Sequence, residues 1–219
     1  MNNADFIKSK GLIVIMRGVT IEKLDKTIMA LYDGGVRIVE IAFDPKDKDT
    51  ICKTAALIER VQKISYGKML IGAGTVINCE YVVSAYNAGA QFIFSPDTDE
   101  DVIRLTKELG MVSIPGALTP TEFKTAYTSG ADIVKLFPIT SDEINYIKNI
   151  TRPLSHIPFI CVGGTNEKTI KSFILAGACG VGTGLSILRP ELIDNDNYEE
   201  ITRLARMHTE IVKSAKMLV

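Results

Sequence analysis

Short apolar blocks alternate with amphipathic stretches along the whole chain. A short leading helix is predicted over 3–9, then a first strand over Leu12–Met16, followed by Arg17-Gly18. A helix from about Ile21 to Tyr32 stops at Asp33-Gly34-Gly35. Strand two is predicted over Val36–Phe43, and the charged segment Asp44–Asp49 leads to a helix over about 50–65. Strand three, Met69–Gly72, runs into Ala73-Gly74-Thr75-Val76, with a helix from about Asn78 to Asn87. Strand four, Gln91–Phe94, closes at Ser95-Pro96 and precedes a helix over about 99–108. Strand five, Met111–Ile114, is expected to end at Pro115-Gly116. Thr119-Pro120-Thr121-Glu122 then marks a helix start: a cap threonine, proline at the first helical position and a glutamate placed for a capping box. Strand six spans Asp132–Pro138, with a helix over about 142–150 after it. Strand seven, Pro158–Val162, opens into Gly163-Gly164-Thr165 and a helix over about 167–175. Strand eight, Cys179–Val181, opens into Gly182-Thr183-Gly184, and a last helix covers about 197–214.

Eight strand–helix pairs in one chain fit a (β/α)8 TIM barrel with a short N-terminal helix, formed as a single domain over residues 1–219. Gly89-Ala90, Gly130-Ala131 and Gly177-Ala178 each end a helix just before a strand, with Gly34-Gly35 as a fourth version; their unequal spacing argues against a solenoid. A doubly wound open sheet is the alternative, but nothing marks the reversal of connections that it needs.

Composition narrows the function. A net charge of −1 provides no field for nucleic acid or anionic membrane, so affinity for a phosphorylated molecule must come from a local site. Charges at Asp5, Lys8 and Lys10 argue against a signal peptide, and no apolar run approaches a spanning helix. Cys52, Cys79, Cys161 and Cys179 are widely spaced and read as reduced, mostly buried core thiols of a cytoplasmic protein. His156 and His208 form no metal-binding pattern, so no metal is expected; His156 reads as a surface residue. The acidic cluster Asp97, Asp99, Glu100 and Asp101 reads as decoration of a helix's first turn.

Lys135 is the exception in an otherwise apolar strand. Either it snorkels out near the strand's end or pairs with a carboxylate, or it is a neutral amine nucleophile. At the ordinary lysine pKa only about one amine in two thousand is neutral at pH 7, so a useful nucleophile needs about 4 kcal/mol of bias against its charge, which an apolar pocket can supply. Alternation in strand two puts Val36, Ile38, Glu40 and Ala42 on one face. A carboxylate there is either half of a buried ion pair, with Lys135 as a candidate partner, or a general acid/base whose pKa burial raises. In a barrel the site lies at the C-terminal strand ends, which also selects Arg17, Thr75 and the glycines after strands seven and eight. Loops there often hold phosphate through backbone N–H groups.

Val39-Glu40-Ile41, Gly72-Ala73-Gly74-Thr75-Val76, Phe94-Ser95-Pro96, Pro115-Gly116-Ala117-Leu118-Thr119-Pro120-Thr121-Glu122, Val134-Lys135-Leu136-Phe137-Pro138 and Val162-Gly163-Gly164 occur in this order. Over nearly its full length the chain resembles the class I 2-keto-3-deoxy-6-phosphogluconate (KDPG) aldolases, also called 4-hydroxy-2-oxoglutarate (KHG) aldolases. The resemblance implies a metal-free, cofactor-free homotrimer of barrels in which Lys135 forms a Schiff base and Glu40 shuttles protons. It implies that Arg17 and Thr75 hold the substrate's carboxylate, and that Phe94, Pro96 and Phe137 wall the pocket. Gly163, Gly164, Thr183 and Gly184 would meet the phosphate. The implied reaction is reversible cleavage of a 2-keto-3-deoxy-6-phospho sugar acid to pyruvate and glyceraldehyde 3-phosphate, or of 4-hydroxy-2-oxoglutarate to pyruvate and glyoxylate. Asp44 stands where gluconate-type members commonly carry an arginine, while Arg17-Gly18 is similar to galactonate-type members. The alternatives are a phospho-sugar isomerase or epimerase on the same barrel, and an inactive phospho-sugar-binding homologue.

Overall fold

A computed structural model describes residues 1–219 apart from the side chain of Ser141. The apolar blocks form nine parallel strand segments: β1 (Leu12–Met16), β2 (Ile38–Ala42), β3 (Leu70–Gly74), β4 (Phe92–Phe94), β5 (Val112–Ile114), β6 (Gly116–Ala117), β7 (Val134–Leu136), β8 (Phe159–Val162) and β9 (Gly180–Thr183). Their lateral order is β5-β4-β3-β2-β1-β9-β8-β7-β6. The two end segments are consecutive in the chain with only Pro115 between them, so the sheet closes on itself as a (β/α)8 barrel whose fifth strand is broken once.

That break corrects the expectation that strand five ends at Ile114. Proline has no N–H to give the ladder, but its carbonyl still accepts the Lys135 N–H at 2.8 Å. Gly116 and Ala117 resume pairing opposite Lys135 and Leu136. Other strand ends differ from the sequence reading too: β2 is trimmed at both ends, and β3 runs on through Ala73 and Gly74. The lysine strand is shorter, because the Asp132 carboxylate leaves the ladder to accept the Ser113 N–H at 2.8 Å and to pair with Lys107 at 2.7 Å. The last strand runs on through Gly182 and Thr183, beyond the end expected at Val181. A Cβ at residue 182 would lie 2.9 Å from Val162 and 3.4 Å from Phe94, so glycine there serves packing inside a strand.

The helices are α1 (Asn3–Lys10), α2 (Ile21–Asp33), α3 (Thr50–Ser65), α4 (Cys79–Asn87), α5 (Glu100–Glu108), α6 (Pro120–Thr128), α7 (Ile144–Thr151), α8 (Ile170–Leu175), α9 (Pro190–Asp194) and α10 (Tyr198–Lys216). The capping box of α6 forms as expected: Glu122 N–H donates to Thr119 Oγ1, and the Glu122 carboxylate accepts the Thr119 N–H at 2.8 Å. The short α9, with Pro190 in its first turn, has no counterpart among the expected helices.

Strand alternation sorts the apolar residues into two layers. Val14, Val39, Ile41, Ala73, Leu136 and Val181 face the helices in the larger cluster. Ile13, Ile38, Leu70, Phe92, Val112, Ile133 and Ile160 fill the barrel interior, and Ile7 of α1 packs onto that cluster. The interior is therefore solid up to the layer of Glu40 and Lys135, and side chains at the C-terminal strand ends have only the mouth to face. Of the four cysteines only Cys161 is buried; Cys52 is exposed on α3, which corrects the reading of all four as core thiols. Among the described residues, no helix is long and apolar enough to cross a membrane.

Candidate active site

β7 carries Lys135 inward with only 6% of its surface exposed. Its amine sits 4.4 Å from the ring centre of Phe94 on β4 and 4.4 Å from that of Phe137 just past β7. The two rings remove water from the ammonium, and this desolvation draws its pKa down to about 8, against the opposing pull of Glu40. Glu40, on β2, is 1% exposed, and burial raises its carboxyl to about 7 although Lys135 and Arg17 oppose the shift. Its Oε2 is buried with no hydrogen-bond partner. No ion pair within 4.0 Å joins Glu40 to Lys135 among the described residues, so the two are not the buried salt bridge that the sequence left open. The pair shares a field without contact, and both groups are poised near neutrality.

β3 makes the room for Glu40. A Cβ at residue 74 would lie 1.0 Å from Glu40 Oε1, so the carboxyl occupies the space that a side chain on β3 would fill. The next residue, Thr75, has φ 56, a left-handed conformation that costs a non-glycine residue about 1–3 kcal/mol. The strained turn presents Thr75 Oγ1 to Arg17, whose guanidinium donates to it at 2.9 Å. A cation from the end of β1 and a hydroxyl from the end of β3 thereby meet above Glu40 of the intervening strand.

Beside Arg17 the mouth opens into a cavity of about 580 Å³. It is lined by Arg17, Phe137, the Gly163–Asn166 loop after β8, and Gly182–Ser186 at and beyond the end of β9. Gly163, Gly164, Thr183 and Gly184 thus come together on one wall. Among the described residues no acceptor takes the N–H of Gly163, Gly164 or Gly184. Thr183 plays a different part from the glycines: its hydroxyl donates to Thr165 O at 3.0 Å and meets Ser186 Oγ, tying the two loops together. Thr75, Phe94 and Pro96 lie outside this cavity's lining. Phe94 stands against Lys135, while the Pro96 carbonyl packs on Gly116. Asp44 is exposed, and its carboxylate accepts the Lys46 N–H at 3.1 Å in a local turn.

The sequence reading missed two residues at the mouth. Thr165 is 8% exposed with Oγ1 unpartnered, a signal that only coordinates give. Asp97 was grouped with Asp99, Glu100 and Asp101 as helix decoration. Asp99 does cap α5, accepting the Asp101 and Val102 N–H groups, but Asp97 sits apart and feels the charge of Lys135. His156 is exposed against Tyr127, as expected. His208 is fully buried, and Nδ1 lies 2.8 Å from Leu204 O. Among the described residues no three His, Cys, Asp or Glu side chains converge as a metal site would need.

Fold and site define a (β/α)8 barrel with its polar groups gathered at the C-terminal strand ends. Within that class, residues 4–204 match the profile of the KDPG and KHG aldolases, and the chain belongs to that family. It is 35% identical over 181 residues to the 2-dehydro-3-deoxy-6-phosphogalactonate aldolase of Escherichia coli (strain K12), covering 81% of this chain and 84% of the relative. It is 25% identical over 221 residues to the KHG/KDPG aldolase of the same organism, covering 98% and 97%. Among solved structures, one described as native KDPGal superposes with a TM-score of 0.83 at 30% identity, covering 94% of this chain and 96% of that one.

Proposed function

We propose that the protein is a Schiff-base aldolase that reversibly cleaves a 2-keto-3-deoxy-6-phospho sugar acid to pyruvate and glyceraldehyde 3-phosphate. One observation carries the reading: a buried amine between two aromatic rings shares a dry site with a buried, unpartnered carboxyl. Lys135 Nζ attacks the C2 ketone, and the ketone oxygen leaves as water. The resulting protonated imine is an electron sink for the C3–C4 bond. Glu40 takes the C4 hydroxyl proton as that bond breaks, then returns a proton to C3 of the enamine; water hydrolyses the imine to free pyruvate. Arg17 and Thr75 hold the C1 carboxylate. The backbone N–H groups of Gly163, Gly164 and Gly184 hold the phosphate, and this remote binding positions the chain for cleavage. The reading uses no metal and no cofactor, and places the enzyme in the cytoplasm as a homotrimer. Sedimentation equilibrium at three chain masses supports the trimer; a monomer refutes it.

Galactonate-derived substrate leads among the candidates. The Arg17–Thr75 contact supplies a cation at the carboxylate end, and Asp44 is folded into its own turn. A coupled pyruvate-release assay across gluconate- and galactonate-derived phosphates and 4-hydroxy-2-oxoglutarate tests this. The expected result is the highest kcat/KM on the galactonate compound. Release from none of the three contradicts the aldolase reading.

A further inference from the structure

The fifth strand breaks beside Lys135, and the loop after β4 mends the break. β4 pairs with β5 only as far as Phe94 opposite Ile114, so Gly116 has loop rather than strand on its β4 side. Ser95 of that loop donates its N–H to Ile114 O at 3.2 Å, and Gly116 donates its N–H to Asp97 O at 3.1 Å. Where a strand would send an N–H to Gly116 O, the donor is the hydroxyl of half-buried Thr98, at 2.6 Å. A Cβ at residue 116 would lie 2.2 Å from Pro96 O, so glycine is what lets the loop come this close. On its other edge the same short segment holds the lysine strand. Gly116 lies opposite Lys135, Pro115 O accepts the Lys135 N–H at 2.8 Å, and Ala117 O accepts the Phe137 N–H at 3.0 Å.

We propose that Thr98 is a positioning residue for Lys135: its hydroxyl stands in for a strand donor at the break, and so fixes the spacing of the slot in which Phe94 and Phe137 hold the amine. The inference rests on the aldolase reading. Phe94 is the last residue of β4 before the loop, and Phe137 is held by Ala117 on the segment that the loop clamps. The amine lies 4.4 Å from each ring centre, so a slip between loop and segment alters the slot from both sides. A wider slot admits water, which favours the ammonium over the free amine that attacks. It also moves Nζ away from the geometry in which attack is efficient. Thr98 acts through Gly116 and the ladder, one residue removed from the carbonyls that hold Lys135 and Phe137. The charged groups around Lys135 are Glu40 from β2, Arg17 from the end of β1 and Asp97 from the loop, and removing the Thr98 hydroxyl deletes none of them.

The test follows covalent capture of pyruvate on Lys135 as a function of pH, with cyanoborohydride as reductant and peptide mass spectrometry as readout, in the full-length protein. Wild type, T98V, T98A, T98S and T106V are compared, each checked for folding by circular dichroism. T98V is expected to move the midpoint of capture to higher pH, because a rehydrated amine keeps its proton longer, and to lower kcat for pyruvate release by about 10- to 100-fold with KM little changed. T98A loses the same hydroxyl without setting a methyl against the carbonyl; it shifts the same way and replaces T98V if that variant does not fold. T98S keeps the hydroxyl and returns both readings toward wild type. T106V removes a hydroxyl that donates to Val102 O at 2.7 Å within α5, away from the break, and leaves both in place. A wild-type midpoint and kcat in T98V or T98A, or an equal change in T106V, overturns the role of Thr98 alone. Wild type that captures no pyruvate overturns the aldolase reading and this inference with it.

Discussion

At the residue scale, the account turns on two groups that the fold makes uncomfortable. The native chain gives up the Lys135 proton near 8, whereas the unfolded chain holds it to about 10.5. The cost of burying this amine is therefore fully present below pH 8 and fades as pH rises through that window. Glu40 runs the other way: the unfolded carboxyl ionises near 4.5 and the native one near 7, so its cost grows as pH rises across that interval. A Lys135→Met variant should therefore lose all turnover yet unfold at higher urea than wild type at pH 7, by about 1–3 kcal/mol, with the advantage shrinking toward pH 10.5. A variant less stable than wild type at pH 7 would mean that the amine is not strained. Both residues were legible in the sequence because each breaks an apolar strand pattern. Thr165 was not: a threonine after a Gly-Gly turn has an ordinary explanation, and only the closed fold shows its hydroxyl buried and unpartnered.

At the scale of elements, β3 is as much a part of the site as the strands that carry its charges. Gly74 leaves the space that the Glu40 carboxyl fills. Gly74→Ala should evict that carboxyl and lower kcat by about 10²–10⁴, the usual worth of a general acid/base, while Lys135 still captures pyruvate. Unchanged kcat would show that Glu40 has another place to sit. Element order and type were readable because period-2 and period-3.6 patterns alternate cleanly, and the Thr119–Glu122 cap was legible to the residue. The strand ends were less so. Pro115 looks like a stop because sequence cannot show that its carbonyl still serves the ladder, and Gly182 looks like a turn because sequence cannot show Val162 and Phe94 pressing on its open face.

At the scale of the whole molecule, the barrel divides the labour. The interior below the mouth is packed with Ile13, Ile38, Leu70, Phe92 and Ile160, which leaves the C-terminal end as the open approach to the amine. Around that rim the polar groups are segregated: Arg17 and the N–H-bearing loops after β8 and β9 line the cavity wall, and Asp97 lies on the β4 side. On the proposed aldolase reading, a substrate with an anion at each end sets its carboxylate toward Arg17 and its phosphate toward the glycines, with its ketone over Lys135. The most direct measurement is borohydride reduction of the protein with pyruvate, followed by peptide mapping. The account predicts one added carboxyethyl group, on Lys135 and absent in Lys135→Met; an unmodified Lys135, or label spread over surface lysines, contradicts it.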